Sequence, residues 1–303
     1  MNALQEGRVI ASHGRHCVVE MADGSRRICH PRGKKLAAVV GDAVHWRNAQ
    51  SGSKGEGVIE AIAPRRNLLY RQDEVRSKSF AANLDQVLIV VAGEPPFSEA
   101  LLARSLVACE AAGIAPLIAL NKLDLAAPFA LAWARLEPYR AMSYAVLRLA
   151  AGAPSTNPDN GDLAALQAHL AGRVTLLLGP SGAGKSTLIN RLAPGADAQT
   201  GEISRALGTG RHTTTHTRWY WLDDARTAAL IDTPGFQSFG LNHVGATGLA
   251  ACMPDIRDHA GQCRFANCTH THEPGCGVRA AAEAGAIAAS RYRIYSDLIE
   301  QMR

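Results

Sequence analysis

No apolar run in the sequence approaches the roughly 18 residues that a membrane-spanning helix needs. The first eight residues also lack the apolar core of a secretory signal peptide. Both absences favour a cytoplasmic protein that contacts no membrane, and we expect this protein to be a monomer. Its 303 residues, 47% of them hydrophobic, suffice for two globular domains or three small ones.

The sequence also lacks the even number of cysteines that a fully paired set of disulfides would require. An odd total of seven, without an export signal, argues against a disulfide framework. Three of the seven lie close together between Cys263 and Cys276, which favours metal binding. The others stand singly among apolar neighbours and are predicted to be small packing residues: Cys17, Cys29, Cys109 and Cys252.

A basic excess is missing from residues 79–303, which carry 18 Lys and Arg against 19 Asp and Glu. Residues 1–78 carry 14 Lys and Arg against 8 Asp and Glu, a net charge of +6. This asymmetry predicts that the N-terminal part binds a polyanion. An ordinary solvated surface is the alternative explanation.

The basic N-terminal part has the pattern of a small barrel. Short strands broken by turn signals are predicted at 7–11, 16–21, 26–30, 42–47 and 57–62. Such a set with a Lys- and Arg-rich loop is typical of an OB-type barrel, which commonly binds nucleic acid. A barrel that only contacts other proteins is the alternative. Residues 64–79 are polar and basic without clear periodicity, which predicts a linker.

The centre of the chain carries a phosphate-binding loop. A buried strand over 174–178 precedes G-P-S-G-A-G-K-S at 179–186, and an amphipathic helix follows it. Glycines and the helix N-terminus let backbone N–H groups converge on phosphates. Lys185 would neutralise the β- and γ-phosphates, and Ser186 would ligate Mg²⁺. The predicted nucleotide contacts here are Gly179, Pro180, Ser181, Gly182, Ala183, Gly184, Lys185, Ser186 and Thr187.

Ahead of this loop, strands and a helix alternate from residue 85, which predicts a parallel sheet covered on both faces. The second strand ends in N-K-L-D at 121–124, at the edge where open α/β sheets bind ligands. An aspartate there accepts hydrogen bonds from N1–H and the exocyclic amine of guanine, so Asp124 would select GTP over ATP. Asn121 would brace the loop, and the stem of Lys122 would pack along the base.

Two polar segments after the P-loop have the pattern of nucleotide switches. The stretch 201–217 contains G-R-H-T-T-T, in which a threonine such as Thr214 could ligate Mg²⁺. A predicted strand pair then ends in D-T-P-G at 232–235. Asp232 would hold Mg²⁺ through water, and the Gly235 N–H would reach the γ-phosphate. Because Phe236 stands where Ras-like GTPases have a water-orienting glutamine, His212 is the catalytic candidate beside Lys185.

The order of these motifs is unusual. N-K-L-D precedes the P-loop by about 60 residues, whereas ordinary GTPases place it last. A circular permutation explains this order, because a new entry point leaves the sheet packing unchanged. The chain then passes from the last strand through the second switch into the C-terminal part. A change in the bound nucleotide would therefore act directly on the residues that follow.

The C-terminal part carries a metal-binding pattern. Cys263, Cys268, His270 and Cys276 supply three thiolates and an imidazole, a set that suits one structural, tetrahedral Zn²⁺. His259 and His272 are competing ligands. Residues 280–302 are predicted to be helical and to cap this small domain.

Taken together, these motifs resemble the circularly permuted, ribosome small-subunit-dependent GTPases of the RsgA or YjeQ family. The resemblance covers nearly the whole chain, including Gly41-Asp42, Trp46, 81–87 and G-R-H-T-T-T. Its most specific part is the metal-binding motif at 263–276, C-R-F-A-N-C-T-H-T-H-E-P-G-C. It implies a multidomain α/β protein with an OB-type barrel at 1–66, a linker at 67–79, a circularly permuted P-loop GTPase domain at 80–240 and a helical zinc-binding domain at 241–303. It also implies GTP or GDP with Mg²⁺ as ligands, and the small (30S) ribosomal subunit and its 16S rRNA as partners in late maturation.

One segment departs from the usual GTPase pattern. The loop beside guanine is commonly rich in Ser and Ala, but 149–154 reads L-A-A-G-A-P here, so its contact stays unassigned. A small-molecule P-loop kinase or ATPase, and an RNA-binding scaffold with a degenerate nucleotide site, are the competing functions. Asp124 argues against the first, and intact Lys185, Ser186 and Asp232 argue against the second.

Overall fold

The protein was analysed as a computed structural model. The structure describes residues 4–14, 16–33, 36–49, 55–72, 77–153, 161–193, 196, 217–233 and 240–302. Across these residues, we found no helix that combines the length and the apolar character needed to cross a membrane.

Five strands within the described N-terminal residues close into a barrel, as predicted. They are β1 (Gln5–Ser12), β2 (Cys17–Glu20), β3 (Arg26–Pro31), β4 (Ala43–Asn48) and β5 (Gly57–Ile62). Their order is β1–β2–β3–β5–β4, and β4 pairs back to β1. The β3–β5 pair is parallel and the other pairs are antiparallel. Alternating side chains such as Val9, Val19, Trp46 and Ile59 fill the interior, which is the arrangement of an OB-type barrel.

The described residues of the segment predicted to be a linker, 67–79, belong almost entirely to two strands. Here β6 (Leu68–Gln72) and β7 (Ser77–Ala82) form an antiparallel pair. Leu69 and Phe80 are buried in the pair, while Lys78 is exposed. A register shift between Leu69 and Tyr70 interrupts the two-residue alternation. This bulge explains why the sequence shows no clear strand periodicity there.

The central domain is an α/β unit. Its elements are β8 (Gln86–Ala92), α1 (Glu99–Ala112), β9 (Ala115–Asn121), α2 (Ala126–Arg135), α3 (Glu137–Ala141), β10 (Val146–Arg148), α4 (Leu163–Leu170), β11 (Val174–Leu178), α5 (Lys185–Leu192), β12 (Arg218–Trp221) and β13 (Ala229–Asp232). The strand order is β10–β9–β8–β11–β13–β12. All neighbours are parallel except β12, which runs antiparallel to β13.

Strand β8 shows why this sheet is covered on both faces. All seven of its residues are buried. Val87, Ile89 and Val91 belong to one apolar cluster, while Leu88 and Val90 belong to the cluster on the other face. Because the side chains of a strand alternate between faces, a continuous apolar run fits a strand covered on both sides.

The sheet order confirms the predicted circular permutation. β11, which leads into the P-loop, lies between β8, earlier in the chain, and β13, later in the chain. The N-K-L-D strand β9 is on the far side of β8 from β11. The carboxyl ends of β9, β11 and β13 therefore meet at one edge, although the chain visits them in a permuted order.

The described C-terminal residues are helical, as predicted, but in separate short elements. They form α6 (Gly245–Leu249), a 3₁₀ turn (Ala250–Cys252), α7 (Pro254–Ala260), α8 (Gly277–Glu283) and α9 (Ala289–Gln301). The prediction that residues 280–302 are helical is wrong at 284–288, which lie between two helices. The helical run is broken after Glu283, where Gly285 has a φ of 78°. Glycine adopts this left-handed conformation readily and therefore ends the helix.

The C-terminal helices share an apolar core with the central domain. One continuous cluster contains Leu102 and Leu106 of α1 together with Ile256, Ile294 and Leu298 from the C-terminal part. Polar contacts cross the same boundary, because Ser290 Oγ donates a hydrogen bond to Glu99 Oε1 at 2.8 Å. The two parts therefore pack as one unit.

A buried ion pair lies in this boundary. Arg291 donates through Nε and Nη2 to the two carboxylate oxygens of Asp255, at 2.8 and 3.0 Å. The Arg291 guanidinium lies 5.0 Å from the ring centre of Tyr139, on α3 of the central domain. Burial alone would lower the pKa of Arg291, but the hydrogen bonds and charge of Asp255 raise it above its ordinary value. The arginine is therefore charged and paired while only 2% exposed.

Candidate nucleotide and metal sites

The P-loop has the strand, loop and helix arrangement that the sequence predicts. β11 ends at Leu178 and α5 begins at Lys185. Between them Gly179, Gly182 and Gly184 have φ values of 151°, 81° and 94°. A Cβ on Gly179 would lie 2.2 Å from the carbonyl oxygen of Val90, and one on Gly184 would lie 2.3 Å from Nδ2 of Asn121. The loop therefore needs glycine for both conformation and space.

Lys185 points back into this loop. Its Nζ donates hydrogen bonds to the carbonyl oxygens of Gly179 and Pro180, at 2.7 and 3.0 Å. Burial lowers the pKa of the Lys185 ammonium, and the negative charge of Asp232 opposes that shift. A half-buried cation thus lies inside a ring of backbone groups, where an anionic phosphate would compensate its lost hydration.

The other predicted P-loop residues lie around this cation. Ser181 and Gly182 are exposed, and Ala183 is buried. Ser186 and Thr187 occupy the first turn of α5 and are half-buried. The exposed side of the loop is therefore open to a ligand, while its base is packed.

Asp232 lies one strand away from the P-loop. It ends β13 and pairs in register with Leu177 of β11, and it is 2% exposed. The next residue, Thr233, donates through Oγ1 to the carbonyl oxygen of Leu177 at 3.2 Å. The structure thus brings Asp232 and Lys185 together at one sheet edge. His212, Thr214 and Gly235, the remaining predicted nucleotide residues, lie outside the described residues.

Asn121 joins three segments of the site. Its Nδ2 donates to the carbonyl oxygen of Ala183 in the P-loop at 2.9 Å, and its Oδ1 accepts from the Ala151 N–H at 2.9 Å. It is only 2% exposed, so both hydrogen bonds are shielded from water. The N-K-L-D segment, the P-loop and the loop after β10 are therefore held at fixed separations.

Lys122 and Asp124, the two charged residues of N-K-L-D, are closer to solvent. Lys122 has a φ of 66° and donates through Nζ to the carbonyl oxygen of Glu94 at 2.6 Å. Asp124 is exposed. Its carboxylate is thus accessible to a ligand at the edge where Lys185 lies.

The loop after β10, which the sequence left unassigned, contains a contact that sequence reasoning missed. Arg191 of α5 donates through Nη1 to the carbonyl oxygens of Ala150, Ala151 and Ala153, at 3.0, 3.2 and 2.8 Å. No motif spacing marks this arginine, because the contact depends on how α5 packs beside the loop.

The predicted metal ligands meet in one cluster. The ligand atoms of Cys263, Cys268, His270 and Cys276 all lie within 4.8 Å of one another. The Sγ–Sγ distance between Cys263 and Cys276 is 3.8 Å, and the His270 Nδ1 lies 3.3 and 3.5 Å from these two sulfurs. This cluster can hold a metal ion. The competing candidates His259 and His272 are not part of it.

Neighbouring groups fix the backbone of the metal-binding segment. The Glu273 carboxylate accepts hydrogen bonds from the backbone N–H and the hydroxyl of Thr269, at 2.7 and 2.6 Å. Burial alone would raise the pKa of Glu273, but these hydrogen bonds hold it far below its ordinary value. Tyr292 and Tyr295 of α9 donate to the carbonyl oxygens of His270 and Thr269. The metal-binding segment is thus anchored to the C-terminal helix.

The fold and these sites define a circularly permuted P-loop protein with an OB-type barrel and a Cys₃His cluster. The family model described as RsgA GTPase matches residues 62–242. The small ribosomal subunit biogenesis GTPase RsgA of Variovorax paradoxus (strain S110) is 60% identical over 303 residues, which cover 99% of this chain and 93% of that protein.

Two solved structures have the same fold. YjeQ from Thermotoga maritima has a TM-score of 0.74 at 29% identity, with 99% of both chains covered. YloQ, described as a circularly permuted GTPase, has a TM-score of 0.70 at 28% identity, with 99% of this chain and 95% of that chain covered. The protein belongs to the RsgA GTPase family and is a GTPase. This family excludes the two competing functions, a small-molecule P-loop kinase or ATPase and an RNA-binding scaffold with a degenerate nucleotide site.

Proposed function

We propose that this GTPase is an assembly factor that binds the small (30S) ribosomal subunit, contacts its 16S rRNA and acts in its late maturation. In this proposal the subunit stimulates GTP hydrolysis, and the protein works as a cytoplasmic monomer. The relative from Variovorax paradoxus, a small ribosomal subunit biogenesis GTPase, supports the biogenesis role. The observation that best supports nucleotide binding is the buried hydrogen bond by which Asn121 joins the N-K-L-D segment to the P-loop.

The geometry of the edge supports the proposed nucleotide roles of the described residues, and the role of Thr214 is proposed from its motif alone. Asp124 would accept from N1–H and the exocyclic amine of guanine, with Asn121 as the brace and Lys122 along the base. Lys185 would neutralise the phosphates, and the loop from Gly179 to Thr187 would surround them. Ser186, Thr214 and Asp232 would hold Mg²⁺, which would supply positive charge against the negative charge that develops during phosphoryl transfer.

We assign one structural Zn²⁺ to the Cys₃His cluster. At a zinc–sulfur distance of about 2.3 Å, the edge of a tetrahedron is about 3.8 Å. The Cys263–Cys276 sulfur separation of 3.8 Å fits that edge. The sulfur–nitrogen separations of 3.3 and 3.5 Å are close to the roughly 3.5 Å expected when one ligand is a nitrogen at about 2.0 Å from zinc. All four positions would be filled by protein, as in structural sites.

Replacing Cys268 with serine is expected to release the metal and to lower the thermal midpoint of the whole chain. Structural zinc binding is largely folding free energy, and the C-terminal helices share their core with the central domain. Metal analysis and a thermal scan measure both effects. Cys252→Ser, which removes a half-buried thiol outside the cluster, is the control. One zinc per chain in Cys268→Ser would contradict the assignment.

The barrel is the proposed rRNA contact. Its arginines Arg26 and Arg32 keep 57% and 67% of their side chains exposed although they pair with Glu20 and Glu60. Exposed guanidinium groups of this kind suit phosphate oxygens. The barrel also touches the nucleotide domain, because Trp221 of β12 donates through Nε1 to Glu20 Oε1 at 2.7 Å. Since β12 directly follows the predicted first switch, rRNA binding and the switch would be linked.

Changing Arg26 and Arg32 to glutamine is expected to weaken binding to 30S subunits and to flatten its salt dependence. Each lost phosphate contact reduces the slope of log affinity against log salt by about one. Filter binding at several salt concentrations measures this slope. Arg173→Gln, at an exposed arginine of the central domain, should leave the slope unchanged. An unchanged slope in the double variant would place the rRNA contact elsewhere.

His212→Ala is expected to abolish subunit stimulation while GTP binding is retained. A positioned imidazole contributes about a hundredfold or more to proton transfer or water orientation, and Phe236 cannot replace it. The measurement is GTP turnover with 30S subunits, alongside nucleotide affinity. His216→Ala, on the same segment, serves as the control. Full stimulation of His212→Ala would mean that another residue or the ribosome positions the water.

A further inference from the structure

The loop after β10 is organised around one arginine. Arg191, in the last turn of α5, directs Nη1 at the carbonyl oxygens of Ala150, Ala151 and Ala153. The Ala153 N–H closes the same turn on the carbonyl oxygen of Ala150 at 3.0 Å. Leu149, Ala150 and Ala151 are all at most 5% exposed, so the start of this turn is packed, whereas Gly152 at its tip is exposed. A charged donor thus holds three carbonyl oxygens of this turn.

The opposite side of this turn is fixed by the N-K-L-D segment. The Leu123 N–H donates to the carbonyl oxygen of Leu149 at 2.9 Å, and the Ala151 N–H donates to Asn121 Oδ1 at 2.9 Å. The turn therefore lies directly beside the segment that carries Asp124. A guanine held by Asp124 would have this turn as its neighbour.

We propose that Arg191 is a positioning residue that sets the selectivity of the site for a purine with a carbonyl at position 6. This inference rests on the proposed base-binding role of Asp124. The carbonyl and the N–H of a trans peptide point in opposite directions. Holding the Ala151 carbonyl on Arg191 therefore turns the Gly152 N–H away from the guanidinium, as a donor for guanine O6. Adenine carries an amine at that position and cannot accept this hydrogen bond.

An arginine suits this position better than other cations. Its planar guanidinium keeps a fixed geometry toward several acceptors, whereas a lysine ammonium is a flexible point charge. Removing it takes the Arg191 donor from the carbonyl oxygens of Ala151 and Ala153, and the turn relaxes. We expect Arg191→Met to weaken GDP binding about tenfold, and Arg191→Lys to recover part of that loss.

Competition against a fluorescent GDP analogue tests this inference with GDP, IDP and inorganic tripolyphosphate as probes. GDP and IDP both carry O6, so Arg191→Met should weaken both, whereas tripolyphosphate affinity should stay unchanged. Arg173→Met is the matched control, because Arg173 hydrogen-bonds Gln86 away from the nucleotide edge. Unchanged GDP affinity, or equal losses for GDP and tripolyphosphate, would overturn the role of Arg191.

A second variant separates this inference from the assignment of the base site itself. In Asp124→Asn the side-chain amide can donate to the 2-oxo group of xanthine, so binding should shift from GDP toward XDP. If that shift fails, the proposed base site is wrong. If it occurs while Arg191→Met binds GDP like the wild type, the role of Arg191 alone is refuted.

Discussion

GTP turnover is expected to fall at least about a hundredfold in Lys185→Ala. The Lys185 ammonium is the cation inside the P-loop, held at 2.7 Å from the Gly179 carbonyl oxygen. Without this ammonium, no positive charge from Lys185 neutralises the phosphates or the negative charge that develops during phosphoryl transfer. A phosphate-release assay with and without 30S subunits measures the loss.

An exposed arginine gives a control for this variant. Arg293, on the solvent side of α9, can be changed to alanine without touching the nucleotide edge. The zinc content and thermal midpoint of Lys185→Ala should match those of the wild type if only the P-loop is affected. Wild-type turnover in Lys185→Ala would refute the P-loop assignment.

Arg291→Ala is expected to lower the free energy of unfolding by about 3–5 kcal/mol. The substitution leaves the Asp255 carboxylate, only 10% exposed, without its partner in the boundary between the central and C-terminal parts. It also removes the cation from the face of the Tyr139 ring. Urea unfolding followed by tryptophan fluorescence measures the change.

A double variant sharpens this stability test. Arg291→Leu combined with Asp255→Leu removes both charges, and replacing a buried pair by apolar residues is often close to neutral. The double variant should therefore recover much of the stability that Arg291→Ala loses. If Arg291→Ala unfolds at the same urea concentration as the exposed control Arg293→Ala, the boundary does not depend on this pair.

The parts of the site that follow motif spacing could be predicted from the sequence. The Cys₃His cluster and the P-loop rest on fixed local spacings, and the barrel strands follow alternation over a few residues. The circular permutation also follows from motif order alone, because the sheet needs the same neighbours whatever the entry point.

The parts that depend on long-range packing could not be predicted. Arg191 and Arg291 carry no sequence signal, because each acquires its role from a turn or helix that is distant in the chain. The β6–β7 pair was missed since its bulge at Leu69 and Tyr70 breaks the alternation. The break at Gly285 could have been inferred, because a glycine inside a helical pattern often marks its end.

The most direct test of the proposed function is GTP turnover by the purified protein with and without 30S subunits, at saturating GTP and Mg²⁺. Hydrolysis by the free protein should be slow, because Phe236 cannot orient the attacking water. Added 30S subunits should raise the rate by about two orders of magnitude or more. Equal rates with and without subunits would contradict the account of a subunit-stimulated GTPase.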